Sequence, residues 1–291
     1  MITTDVERCV QALRQGSLVA VPTETVYGLA AVASDETAIR KVFIRKGRPF
    51  FDPLIVHVAE LSQLDGVVHG LSDLERRLLE TFSPGPLSLI TKKSSNVSDL
   101  ITAGHPSVAV RIPAHPVAQE LLRSLGEPVV APSANLFGRT SPTTAAHVEV
   151  DFSELLVLDG GECPIGIEST IVEVNERGEI LILRPGGVSR ALLEGLGVKV
   201  VREVKPVAPG HLKHHYQPRN PLRVVSEGGE INGFEIKLPD TPELAARVLY
   251  ARLREGDRQE QDLYLRWNFP REGEWEAIWD RVSRAAESIE L

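Results

Sequence analysis

Short apolar runs alternate with stretches of helical period along the first 205 residues. Residues 4–15 space their apolar side chains for one helical face, and Gly16 follows where a helix C-terminus favours glycine. Leu18-Val-Ala-Val reads as a strand stopped by Pro22. Residues 35–46 read as a helix capped by Asp35, with Gly47 after its end. Further strands are predicted at 53–58, 86–90, 108–112, 128–131, 169–174 and 180–183, and helices at 72–82, 115–125, 143–149 and 189–195. This alternation predicts an α/β domain over 1–205.

Most of these strands stop at a polar segment containing Pro or Gly, such as Pro22-Thr-Glu-Thr, Arg111-Ile-Pro, Pro132-Ser-Ala-Asn and Arg184-Pro-Gly-Gly. Each alone reads as a turn; together they suit the ligand crevice of an open α/β sheet. Residues 206–221 hold four prolines and no acid, and read as a semi-rigid linker. It carries His211, Lys213, His214, His215, Tyr216 and Arg219, unusual cargo for a passive tether, and is expected to close over the crevice as a lid. Beyond it, strands at 222–226, 233–239 and 261–268 and helices at 241–255 and 273–289 predict a small α/β unit over 222–291. Trp267, Trp275 and Trp279 all lie there and are expected to be packing residues.

Composition adds exclusions. With 42% hydrophobic and 25% charged residues the chain is an ordinary globular one. Cys9 and Cys163 form no disulfide framework and no Cys-x-x-Cys pair, which suits a reducing, cytoplasmic setting. The N-terminal residues do not read as a signal peptide, and no apolar run approaches the roughly 20 residues of a membrane helix. The net charge is -8, and residues 226–291, with 15 acids and 9 bases, carry most of it. Stable nucleic-acid binding is not expected. The local exception is Arg40, Lys41, Arg45, Lys46 and Arg48.

There is no Gly-x-x-x-x-Gly-Lys-Ser/Thr loop, no Gly-x-Gly-x-x-Gly, no His-Glu-x-x-His and no Gly-x-Ser-x-Gly. His211-x-x-His214-His215 has metal-like spacing, but a linker rarely fixes ligand geometry, and no metal ligand is assigned. What remains is a set of fixed donors. Lys46-Gly-Arg48-Pro suits a helix end, and also suits a polyphosphate. Ser133-Ala-Asn135 puts two polar groups on one face if extended, and Gly166-Ile-Glu-Ser169-Thr170 places a carboxylate and two hydroxyls at a strand start.

These segments occur in a specific order: Pro22-Thr-Glu-Thr-Val-Tyr-Gly, Lys46-Gly-Arg-Pro, Pro53-Leu-Ile-Val-His57, Ser83-Pro-Gly-Pro-Leu, Val108-Ala-Val-Arg-Ile-Pro, Ala131-Pro-Ser-Ala-Asn, Gly166-x-Glu-Ser-Thr and Leu183-Arg-Pro-Gly. The ordered set resembles the YrdC-like family of threonylcarbamoyl-adenylate synthases over roughly residues 5–205. The linker and last unit resemble its longer, two-domain branch. The resemblance implies a twisted mixed sheet with a concave cleft, followed by a small Rossmann-like domain, here shortened between its first two strands. It implies that ATP, L-threonine and bicarbonate become threonylcarbamoyl-adenylate and pyrophosphate, the product passing to the machinery that modifies tRNA.

The roles implied are specific. Lys46, Arg48 and His57 form the catalytic set. ATP falls to Lys46, Arg48, Asp52, Ser107, Ser133, Asn135, Ser141, Arg184 and Tyr216. Threonine falls to Thr23 or Thr25, His57, Arg111, Ala131 and Ser169. Mg²⁺ is expected with ATP, held largely by phosphate and water. Asp52 departs from the family's usual Asn, and a carboxylate there repels phosphate unless it meets Mg²⁺ or a cation. A double-stranded-RNA-binding module is the alternative, motivated by the basic run at 40–48. A carbamoyl-transfer maturation factor would need extra regions this length does not hold.

Overall fold

The computed structural model describes residues 1–202 and 215–291, so most of the expected lid lies outside the described residues. Among those residues, eleven strands form one mixed sheet. In chain order they are β1 (Ile2–Thr3), β2 (Val19–Val21), β3 (Gly28–Val32), β4 (Ile55–His57), β5 (Leu87–Lys92), β6 (Ser107–Arg111), β7 (Val129–Val130), β8 (Leu156–Leu158), β9 (Thr170–Val174), β10 (Ile180–Arg184) and β11 (Val200–Arg202). Across the sheet the order is β1-β8-β2-β3-β7-β4-β6-β5-β9-β10-β11. The helices are α1 (Val6–Arg14), α2 (Glu36–Lys46), α3 (Asp73–Phe82), α4 (Asp99–Thr102), α5 (Pro116–Leu125), α6 (Ala145–Asp151) and α7 (Arg190–Glu194).

Local chemistry sets the element ends. Asp35 accepts from the Ala38 amide at the start of α2, and Gly47 ends that helix at φ 64°, a left-handed conformation that glycine adopts without strain. Alternation along β2 and β3 sends side chains to both faces. Ala20, Leu29 and Ala31 join the core with α2 and α3, while Val19, Val21, Ala30 and Val32 pack with α1 and α5. The sheet is therefore buried on both faces where the site-bearing loops leave it.

The last unit is a four-stranded parallel sheet, β12 (Leu222–Val225), β13 (Phe234–Ile236), β14 (Leu263–Arg266) and β15 (Ser288–Glu290), in the order β13-β14-β12-β15. Helices α8 (Pro242–Gly256) and α9 (Glu276–Ala285) cover it. The expected helix at 273–289 is corrected. A short 3₁₀ turn precedes α9, Ala286 adopts extended backbone, and 288–290 pair with β12. Edge pairing outweighs the helical period there. Trp267 lies 6.1 Å from Trp275 and 4.8 Å from Trp279, centroid to centroid, in the packing role expected.

The two units share a core. Val26, Ile167 and Tyr216 belong to the apolar cluster of the C-terminal sheet. Gly166, at φ 82°, lets α8 approach closely, since a Cβ there would fall 2.4 Å from the Arg247 Cα.

Candidate active site

The site gathers strand ends from both directions of the sheet, β4, β6 and β10 running one way and β2 and β7 the other. Parallel β4 and β6 both end there, with His57 opposite Arg111. Antiparallel β10 ends at Arg184 beside the start of β9. The loops after β2 and β7 bring Thr25, Val26, Ala131, Pro132 and Ser133 to the same cleft, which Arg48, His57, Arg111, Glu168, Ser169, Arg184, His215 and Tyr216 also line. The cleft holds about 50 Å³, with His215 and Tyr216 among its lining residues. A larger hollow of about 870 Å³ between α1 and α2 is remote from these side chains.

The phosphate-type cations are braced from within. Lys46, 2% exposed, donates to the Ser133 carbonyl and, at 2.6 Å, to the Asn135 carbonyl. It thereby fixes the loop that carries Ser133 into the cleft. Burial, then the neighbouring Arg48, push the Lys46 ammonium well below its ordinary pKa. Arg48 donates to the Asp52 and Pro53 carbonyls at 3.1 and 2.8 Å and pairs with Asp52 Oδ1 at 2.9 Å. Asp52 thus meets a cation, one of the two conditions its departure from Asn required. Burial raises its pKa although Arg48 and Lys46 oppose the shift. Its Oδ2 is buried without a hydrogen-bond partner among the described residues.

The expected threonine residues divide by position. Thr25 lines the cleft, whereas the Thr23 hydroxyl is spent on its own loop, donating to the Val26 carbonyl at 2.6 Å and lying 2.8 Å from the Thr25 hydroxyl. His57 is buried but still lines the cleft. Its Nδ1 lies 3.1 Å from the Ile55 carbonyl, which can only accept, so Nδ1 carries the proton and Nε2 is the acceptor. Burial, then Arg111, push the imidazole down to about 3, so it is neutral at physiological pH. Arg111 donates at 2.7 Å to Glu24, whose other oxygen takes the Ala114 amide at 3.0 Å. Burial alone would raise Glu24; Arg111 overcomes it and holds the carboxyl below its usual range. Ser169 Oγ lies 2.8 Å from Ser88 Oγ, and Arg184 Nη2 donates to the Ser169 carbonyl at 2.9 Å and its hydroxyl at 3.1 Å.

Five expected ATP residues sit back from the lining: Lys46 and Asp52, bonded as described, and Asn135, Ser141 and Ser107. The Asn135 amide holds the Leu136 and Arg139 carbonyls at 2.8 and 2.9 Å. Ser141 donates to Glu168 at 2.6 Å. Ser107 lines a separate small hollow that shares Pro53 and Leu54 with the cleft. Tyr216, at φ 65°, buries its hydroxyl without a hydrogen-bond partner among the described residues. His215 packs edge-on against Phe137 and Tyr216, in an aromatic rather than a metal setting; His211 and His214 lie outside the described residues. No cluster of three or more His, Cys, Asp or Glu able to hold a metal occurs among the described residues.

Sequence reasoning missed Glu24 and Glu168 as partners of site groups, although both stand inside quoted motifs. Glu168 accepts from Ser141, Tyr250 and Arg281, and is held at about 2 against the opposing effect of burial, by Arg281 and Arg184. Cys163 is no nucleophile, since burial pushes its thiol up to about 12.

Three lines of comparison bear on this geometry. A family described as "Telomere recombination" matches residues 11–186, and one described as "Threonylcarbamoyl-AMP synthase, C-terminal domain" matches residues 230–287. The threonylcarbamoyl-AMP synthase of Pyrococcus abyssi is 37% identical, the match covering 94% of this chain and 92% of that one. This chain belongs to the threonylcarbamoyl-AMP synthase family. Its Bacillus subtilis relative is 36% identical over 94% of this chain and 90% of that protein. The crystal structure of the P. abyssi protein complexed with L-threonine superposes with a TM-score of 0.91 at 33% identity, covering 98% of this chain and 96% of that one. Membership in this family agrees with the mixed sheet, the second parallel sheet and the strand-end cleft expected from the motifs.

The buried imidazoles make a prediction about stability. Burial holds His57 and His215 at about 3 and His147 at about 4, against about 6.5 when unfolded. Below pH 6.5 the unfolded chain binds protons that the folded chain does not, so folding stability falls as pH drops through that window. Each such proton is worth about 1.4 kcal/mol per pH unit. The urea midpoint is expected to fall clearly between pH 7 and pH 5. A flat midpoint would show that these rings are accessible to protons in the fold.

Proposed function

We propose that this chain joins ATP, L-threonine and bicarbonate in the strand-end cleft to give threonylcarbamoyl-AMP, pyrophosphate and water. The observation that carries this is the convergence of Arg48, His57, Arg111, Ser169 and Arg184 from separate strands and loops on one cleft, with Tyr216 seated over it. The threonine amine takes up bicarbonate as a carbamate, whose oxygen attacks the α-phosphorus and expels pyrophosphate. Such chemistry needs positioned reactants and neutralised charge more than a protein nucleophile. Arg48, and the Ser133 loop that Lys46 braces, face the phosphates. Arg111, oriented by Glu24, offers a guanidinium to the threonine carboxylate. Neutral His57 accepts a hydrogen bond from threonine through Nε2. Tyr216 brings a ring and a hydroxyl to the nucleotide, the part played by the proposed lid.

Mg²⁺ is expected to arrive with ATP and to neutralise phosphate charge. The donor set fits an ion held mainly by phosphate and water, for which one or two carboxylates suffice. Asp52, paired with Arg48 and outside the cleft lining, is not assigned to the ion. The product is expected to serve tRNA modification in the cytoplasm. No helix among the described residues is long and apolar enough to cross a membrane. The basic run behind the RNA-binding alternative is divided: Lys46 and Arg48 are buried, whereas Arg40, Lys41 and Arg45 are exposed.

Pyrophosphate release is expected to require both L-threonine and bicarbonate, and release without threonine would overturn the proposal. Serine should serve about 10–200-fold less well, since one methyl among apolar groups such as Val26 and Ile55 is worth about 1–3 kcal/mol.

Asp52→Asn keeps an acceptor for Arg48, which two carbonyls also hold. It removes one negative charge beside the phosphates. The KM for ATP should fall about two- to fivefold, as for a modest ion-pair contribution of roughly 0.5–1 kcal/mol. A large loss of activity restored by raised Mg²⁺ would instead make Asp52 an ion ligand.

A further inference from the structure

Arg281, on α9 of the C-terminal unit, is fully buried and is the largest fully buried side chain described. A guanidinium withdrawn from water is costly, and an apolar side chain of similar size often packs at least as well. Its contacts are specific. Nε donates to Glu168 Oε2 at 2.6 Å, Nη1 to Asp280 Oδ2 at 2.8 Å, and Nη2 to the Pro185 carbonyl at 2.9 Å. The guanidinium carbon lies 5.0 Å from the centre of the Tyr216 ring, which also neighbours His215 at 4.2 Å and Tyr250 at 5.9 Å. Tyr250 in turn donates to Glu168 at 2.9 Å.

Three of these contacts adjoin the cleft. Glu168 precedes Ser169, Pro185 follows Arg184, and Tyr216 lines the cleft itself. We infer that Arg281 is a positioning residue for the proposed reaction, through which the C-terminal unit seats Tyr216 and fixes the backbone beside Ser169 and Arg184. It touches no substrate; it acts through these groups. Asp280 anchors it on the far side, itself held by Arg202 at 2.9 Å and Arg284 at 3.1 Å, so the guanidinium has one place to be. The unit thus contributes to the cleft without reaching into it. The inference rests on the proposed reaction only in naming what is positioned.

Two variants test it. Arg281→Lys keeps a cation between Glu168 and Asp280 but cannot make all three bonds and also cover the Tyr216 ring. Glu168→Gln/Arg281→Met removes both charges together, so folding is not burdened by a lone buried carboxylate. The first readout is amide hydrogen exchange. Exchange across 215–221 should quicken roughly tenfold, the scale of a lost cation–π contact and its bonds, while α8 core amides stay protected. Quickening spread evenly over the C-terminal unit, or none, would overturn the inference and leave Arg281 a structural residue. The second readout is a kinetic cycle. KM for ATP should rise roughly tenfold in each variant but no further when either is added to Tyr216→Ala, because the effect runs through Tyr216. Full additivity with Tyr216→Ala would also overturn it. Should the wild-type protein form no threonylcarbamoyl-AMP, the proposed reaction fails, and the exchange pattern still decides whether Arg281 seats Tyr216.

Discussion

Lys46→Ala should lower kcat/KM for ATP by about 30–150-fold, with a lower melting temperature. The ammonium makes two charge-assisted bonds, to the Ser133 and Asn135 carbonyls. Removing them takes a donor from both carbonyls, leaving the Ser133 carbonyl only the Asn135 amide at 3.0 Å among the described residues, and frees the loop that presents Ser133. Hydrogen bonds to charged groups contribute about 1.5–3 kcal/mol each, and two in one loop are not additive, so about 2–3 kcal/mol is expected. Pyrophosphate release kinetics beside a thermal melt separate the two consequences. Lower stability with unchanged ATP kinetics would reduce Lys46 to a helix-end brace, the simpler role its place at the end of α2 allows.

That alternative shows what the sequence could convey. Local signals were legible: Asp35 and Gly47 bound α2, and apolar runs with polar ends mark β4, β6 and β10 where they lie. β3 was hidden because Gly28–Val32 continues the Pro22–Gly28 motif without a turn signal. β1, β8 and β11 are short edge or near-edge strands whose existence depends on partners far along the chain. The cleft-lining residues Arg48, His57, Arg111, Ser133, Ser169 and Arg184 were legible because ordered motifs mark strand ends. Their partners were not. Arg111 meets Glu24 across 87 residues and Glu168 meets Arg281 across 113, separations that leave no local pattern. The inward turn of Lys46 and Arg48, against the outward turn of Arg45, likewise follows from how α2 docks on the sheet.

Arg111→Ala should combine loss of threonine use with a change in the sign of a pH effect. The threonine carboxylate loses its fork, so KM for threonine rises by about 10–150-fold, the worth of a charged hydrogen bond of about 1.5–3 kcal/mol. Glu24, 6% exposed, also loses its counter-charge. Breaking a buried pair from one side costs about 3–5 kcal/mol. In the wild type the Glu24 pKa is lowered, so its contribution is present above about pH 4.5 and is lost as pH falls. Without Arg111, burial is left to raise that pKa. Glu24 then favours the fold when protonated, and stability is lost as pH rises through the raised value. The stability gap between variant and wild type should therefore be narrower at pH 5 than at pH 8 in urea titrations. The histidine contribution common to both proteins cancels in the difference, apart from the part of the His57 shift due to Arg111. An equal gap at both pH values would mean that Arg111 does not control the Glu24 charge.

The most direct measurement is mass spectrometry of the products formed from ATP, L-threonine and carbon-13 bicarbonate. The cleft chemistry predicts threonylcarbamoyl-AMP carrying one labelled carbon, formed one-for-one with pyrophosphate and lost when threonine is omitted. An unlabelled threonyl adenylate, or ATP consumption that gives only AMP or ADP whether or not threonine is present, would contradict it.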